Sequence, residues 1–191
     1  LQLENMITDL SALRHLNKLE DLKLSNIQTK DLSPLRNLKK LSLLEVMDVP
    51  IKDLSFLRHL NNLISLTVWR IPVKDLSPLK KLMKLKQLSL VETKVTDITS
   101  INGLVNLHYL GLIDNRITNI KPIKNLNKLV ILHLFRTDVK NIQPLNNLLH
   151  LEELDLSETK VEDLTPLRNL RTLKSLALSR NTELKEIRPL K

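Results

Sequence analysis

Ser89, His133 and Asp155 have the residue types of a nucleophile, a general base and an orienting acid, in that chain order. Such a hydroxyl attacks an acyl carbon only when the imidazole that takes its proton lies within about 3 Å. Gly111 falls between them, and the spacings are all multiples of 22. The same interval governs the rest of the chain. TKDLSPLRNL at 29–38 returns as IKDLSFLRHL at 51–60 and VKDLSPLKKL at 73–82. The repeat therefore governs where these side chains stand relative to one another.

Units of 22 residues begin at Leu16, Leu38, Leu60, Leu82, Leu104, Leu126, Leu148 and Leu170, after a partial unit at 1–15. Numbered within a unit, positions 1, 4 and 7 are always leucine, and position 9 is leucine or valine. Positions 14, 17 and 20 are mostly Ile, Val or Leu. From 6 to 10 the apolar residues alternate, which is the strand pattern, with 7 and 9 facing one way and 6, 8 and 10 the other. Self-similarity at such a period marks a solenoid, whose stacked units form a parallel sheet at about 4.8 Å per strand. No unit buries its leucines alone, so stability is a sum over neighbours. Ser33-Pro34, Ser77-Pro78 and Thr165-Pro166 read as an N-cap followed by an N1 proline, opening a short helix on the return leg.

The sheet spacing decides the first question. His133 and Asp155 are one strand apart and within pairing reach, but Ser89 lies two strands from His133, near 9.6 Å. The order is a coincidence of register. His15, His59, His108 and His150 fall on outer or edge positions without clustered carboxylates or thiols at ligand spacing. No catalytic site, metal site or cofactor is expected in these 191 residues.

The phrase LHYLGLIDNRITNI (107–120) matches the pattern LxxLxLxxNxI, and the chain resembles the leucine-rich repeat proteins along essentially its whole length. The 22-residue unit and the DLSPL return are most similar to the bacterial internalin-type and phosphatase-regulator-type repeats. The resemblance implies an α/β solenoid with the parallel sheet on a concave face and short α or 3-10 helices on a convex one. It implies a single domain that binds proteins, bacterial, with a secreted or cell-surface setting favoured and a cytoplasmic one left open. The family's buried asparagine at position 12 is incomplete: Ile27, Val49, Ile71, Thr93, Asn115, Thr137, Thr159, Asn181. Threonine can replace part of its hydrogen bonding, and Ile or Val none. The first three units are expected to use backbone–backbone bonds or water instead. Polar capping units are not evident at either end, including NTELKEI at 181–187 and Pro189-Leu190, so flanking segments are expected.

Positions 6, 8 and 10 are free to carry function. Position 10 runs Ser25, Met47, Trp69, Val91, Ile113, Phe135, Ser157, Ser179, with Leu43, Tyr109 and Ile131 beside it at position 6. The five apolar residues in a row span roughly 19 Å and would expose on the order of 500 Å². The rim at position 11 is charged, with Arg70 and Arg136 flanking the centre. An apolar centre with a charged border is the layout of a protein interface, and Trp, Tyr and Arg are its usual anchors. The expected partner-binding residues are Trp69, Phe135, Tyr109, Met47, Val91, Ile113, Ile131, Leu43, Arg70 and Arg136. Phe56, in place of proline, is read as packing. Two bland accounts of the stripe remain: scattered surface hydrophobics, or a further segment of the same chain folded onto it.

Composition sets the remaining bounds. There is no cysteine, so disulfides and thiolate metal sites are excluded. Two glycines rule out phosphate-cradling loops. No run of 18 apolar residues occurs. The opening LQLENMITDL lacks the features of a secretory leader, which decides nothing if the chain is part of a longer one. The net charge of +9 lies mostly at positions 21, 22, 2, 3 and 5. Nucleic acid or an anionic membrane is one reading of it. Solvated charge is preferred, since no aromatics interleave with the lysines to stack bases. A targeting or autoinhibitory arm of a longer enzyme is a further alternative.

Overall fold

The computed structural model describes residues 1–185. The expectations for Pro189-Leu190 and the end of NTELKEI fall outside them. Nine strands form one parallel sheet in simple sequence order. They are β1 (Gln2–Glu4), β2 (Asp21–Ser25), β3 (Leu43–Met47), β4 (Ser65–Trp69), β5 (Gln87–Val91), β6 (Tyr109–Gly111), β7 (Ile131–His133), β8 (Glu153–Asp155) and β9 (Ser175–Ala177). From β2 onward the register advances by one whole unit per strand, pairing Met47 with Trp69 and Trp69 with Val91. Positions 7 and 9 therefore stack on themselves. Leu22 to Leu154 and Leu24 to Leu156 are fully buried in those two columns. They join the leucines of positions 1 and 4 in one core running the length of the rod. Phe56 is buried in it, as packing.

The return legs of the partial unit and the first seven full units carry 3-10 helices, and none of the described helices is an α-helix. Their start differs from the serine cap expected at Ser33, Ser77 and Thr165. The residue at the cap is Leu32, Leu76 or Leu164, with no side-chain cap bond. The stabilising side chain lies one residue earlier. Asp31 Oδ1 accepts the Ser33 backbone N–H at 2.8 Å, and Asp9, Asp53, Asp75, Asp97, Asn119, Asn141 and Asp163 do the same in their units. Serine instead gives its hydroxyl proton to that carboxylate in several of them. The Asx turn accounts for the Asp or Asn at position 16.

Position 12 divides the rod in two. Asn115 Oδ1 accepts from the Thr93 N–H, the Thr93 hydroxyl and the Val95 N–H. Its amide donates to Leu90 O and, in its own unit, to Ile113 O. Thr137 and Thr159 likewise bond back to Leu134 O and Leu156 O. Each back-bond closes a turn just after the strand, and the strands of these units have three residues. Ile27, Val49 and Ile71 have no such side chain, and their strands run for five. There the flanking backbone bonds directly across units, as in Gln28 N–H to Ile7 O and Val73 N–H to Thr93 O.

Two outcomes follow. Asn115→Ala strands the N–H groups of Thr93 and Val95 and the Leu90 carbonyl, and should cost about 2–4 kcal/mol in urea unfolding, against about 1 kcal/mol or less for Thr137→Val. The turn carboxylates of Asp31, Asp53, Asp75, Asp97 and Asp163 are held below the ordinary aspartate value, by hydrogen bonds from the residue two positions on. With folded pKa values depressed, their stabilisation is present above the unfolded value near pH 4 and is lost as pH falls through the folded one. A variant with Asp31, Asp53 and Asp75 all changed to Asn keeps the acceptor, and should unfold at a lower pH than the parent in an acid titration followed by circular dichroism.

Candidate functional site

The strand alternation places positions 6, 8 and 10 outward on the sheet face, and each described strand from β2 to β5 shows buried residues only at 7 and 9. Met47, Trp69, Val91, Ile113 and Phe135 are half-buried, neither inside the leucine core nor covered by another described segment of the chain. Met47, Trp69 and Val91 end five-residue strands, whereas Ile113 and Phe135 lie in the turns beyond β6 and β7. Leu43 is exposed, and Ile131 is half-buried.

The rim behind the stripe is built on left-handed backbone. Asn26, Asp48, Arg70, Glu92, Asp114, Arg136, Glu158 and Arg180 all have φ between 52° and 57°. That conformation costs a non-glycine residue roughly 1–2 kcal/mol, yet most of the row is charged. The side chains form ladders across units. Arg70 Nε meets Glu92 at 3.2 Å, with Asp48 at 3.9 Å on its other side. Arg136 lies between Asp114 at 3.2 Å and Glu158 at 2.9 Å, and Arg180 also reaches Glu158. Exposed pairs of this kind add little stability individually. They do orient groups. The Arg70 guanidinium sits 4.6 Å over the Trp69 ring and that of Arg136 5.2 Å over Phe135. The Trp69 indole N–H donates to Glu92 Oε1 at 3.2 Å. That bond, then Arg70, pulls the Glu92 pKa down, and Arg136 does the same for Glu158.

The residues of the apparent triad meet differently from the sequence order. His133 pairs with Glu153, Nε2 to Oε1 at 2.7 Å, not with Asp155, because Glu153 at position 6 reaches back along the face. Asp155 accepts the Ser157 N–H instead. Tyr109 stands edge-on to the His133 ring, centroids 5.5 Å apart, with its hydroxyl 3.5 Å from Nδ1. The ring lies over Gly111: a Cβ there would stand 2.7 Å from the Tyr109 hydroxyl oxygen and 3.3 Å from Ser89 Oγ. Ser89, Tyr109, His133 and Glu153 thus make a polar strip beside the apolar stripe, and Tyr109 is laid down rather than projecting. Burial raises its pKa, Ser89 opposes this, and Glu153 adds to it. Gly111→Ala should displace the Tyr109 ring, read as loss of its nuclear Overhauser contacts to His133, with stability changed by about 1 kcal/mol or less.

Charge separates by face. Glu4, Asp21, Glu45, Asp48, Glu92, Asp114, Glu153, Asp155 and Glu158 share the sheet face and rim with only Lys23, Arg70, Arg136 and Arg180. Nine carboxylates against four basic groups leave this face negative on a chain of net charge +9. The basic excess lies in the segments from each helix to the next strand. On the helix side, a shallow groove of about 400 Å³ lined by Asp31, Arg36, Asp53, Phe56 and Arg58 has its aspartates committed to the turns. Among the described residues no cluster of His, Asp and Glu could hold a metal ion, and no helix is long and apolar enough to cross a membrane.

Solved structures provide relatives. An internalin C2 from Listeria monocytogenes superposes with a TM-score of 0.87 at 33% identity, over 91% of this chain and 77% of that one. An internalin F from the same organism gives 0.75 at 28% identity, covering 97% of this chain and 61% of that one. A plant peptide hormone receptor, RGFR1 in complex with RGF2, shares the fold alone, at 15% identity and a TM-score of 0.68, with 38% of its chain covered. No family model and no curated protein sequence matches the chain.

Proposed function

Because the chain belongs to the internalin family of bacterial leucine-rich repeat proteins, we propose that it recognises a partner protein through the sheet face. One observation carries the reading: five apolar side chains in consecutive units stay partly exposed in register, against a rim whose charged groups are already oriented. Trp69 and Phe135 are the anchors, each held by the arginine above it. Met47, Val91, Ile113, Ile131 and Leu43 fill around them. Preorganised side chains lose less entropy on binding, so the ladder improves affinity beyond the contacts it makes itself. Arg70 and Arg136 each keep part of the guanidinium fork free for a partner acceptor. Tyr109 contributes a polar edge, since its hydroxyl is turned toward Ser89 and His133.

The net negative face selects for a partner that offers basic groups around an apolar element. The internalin relatives, of which the chain spans 77% and 61%, and the peptide-bound receptor are consistent with a binding module. A bacterial surface or secreted setting follows from the same relatives as a proposal.

The sole tryptophan makes the test direct. The chain is used as bait, captured proteins are identified by mass spectrometry, and each is titrated while Trp69 emission is followed. The expected result is a blue shift on binding, a loss of about 2 kcal/mol or more for Phe135→Ala, and unchanged melting. Trp69→Ala, followed by calorimetry, should lose as much. Full affinity in both variants would refute the assignment of this face.

A further inference from the structure

We propose that the flank carrying the segments between helices and strands is a second docking surface, and that it fits an anionic lipid bilayer. In several units position 2 sits at the tip of a tight turn whose N–H bonds two residues back, as in Met83 N–H to Lys81 O and Val105 N–H to Gly103 O. A side chain at such a tip cannot reach the core. Position 5 stacks on itself from unit to unit, Lys86 N–H to Ile64 O and Val130 N–H to His108 O by way of Lys86 and His108. Five consecutive units each place one aliphatic residue at one or other position: Ile64, Met83, Val105, Val130 and Leu149. Four are 39%, 46%, 42% and 53% exposed in chain order, Val130 being half-buried.

Lysines surround this strip, with Glu152 the one acid in the same segments of these five units. No carboxylate is within salt-bridge distance of Lys80, Lys81, Lys84, Lys86, Lys124 or Lys128 among the described residues, whereas Lys23, Arg70, Arg136, Lys140, Lys160 and Arg180 are all paired on other faces. The amines of Lys84 and Lys128 donate to the neutral amide oxygens of Asn62 and Asn106, at 2.6 and 2.8 Å, which fixes them without cancelling their charge. Glu152 and its partner Lys174 lie at the edge of the strip.

Solvated charge accounts for the lysines but not for aliphatic side chains set among them at one per unit. Lipid phosphates and carboxylates match unpaired ammonium groups, while aliphatic tips reach the acyl boundary. A nucleic acid would use large aromatic platforms, and this flank has no Phe, Tyr or Trp. The flank of an in-register stack is also a continuous side, which a planar surface can meet at several units together.

The test is sedimentation of the chain with phosphatidylcholine vesicles, with and without about one quarter phosphatidylserine. Binding is expected only with phosphatidylserine, weakening by about fivefold for each lysine removed. The double variant Met83→Ser with Leu149→Ser should weaken it about tenfold at unchanged melting temperature, and Trp69→Ala should leave it intact. Equal binding to neutral vesicles, or none to either, overturns the proposal. So does duplex DNA that displaces the vesicles and binds the Met83→Ser, Leu149→Ser variant at full affinity. A second, independent variant, Val105→Ser, guards against a local folding effect at Met83.

Discussion

Every unit of this molecule depends on the next to keep its leucines dry. The columns at positions 7 and 9 are buried only because β-ladders hold successive units in register, and that register admits no slip, since one residue would turn both columns to water. Two constraints descend from this. Backbone polar groups at each bend must be satisfied locally, and side chains that face away from the core are free of any folding duty. The Asx turns and the position-12 bonds meet the first. The sheet face, rim and flank inherit the second.

The rim shows how freedom is used. A left-handed residue in each unit is a place where glycine or asparagine would be easiest, and only Asn26 among the eight conforms. The others pay a conformational cost to carry charge, and the charge is arranged with alternating sign within each ladder. Arg70 and Arg136 then lie over the two large aromatics. Backbone strain, ion pairing and aromatic orientation form one arrangement. Its break falls between Glu92 and Asp114, where two carboxylates are neighbours and no ion pair joins the two ladders.

Period, strand positions and the outward placement of Trp69 were readable from the repeated leucines, because columns of identical residues can only be core. The turn cap was not. Serine and aspartate both accept N–H bonds at helix starts, and only the two-residue reach of Asp31 to Ser33 tells them apart. Thr137 and Thr159 gave no warning that they would bond back to Leu134 and Leu156, since a hydroxyl can bond forward or back. Tyr109 lying over Gly111 requires the lean of a ring along its strand, which spacing does not encode. The flank strip was hidden for another reason: its aliphatic residues are divided between positions 2 and 5, so no single column displays it. The charge ladder, by contrast, stood in plain sight as alternating Asp, Arg and Glu.

Whole-unit stacking also makes the molecule a ruler with fixed graduations. The distance from Trp69 to Phe135 is three units, and it can change only by inserting or deleting a complete coil, a step of about 4.8 Å. A fraction of a step would break the core. Matching to a binding surface is thus digital: coarse fit is selected by counting coils, and only fine fit by exchanging side chains.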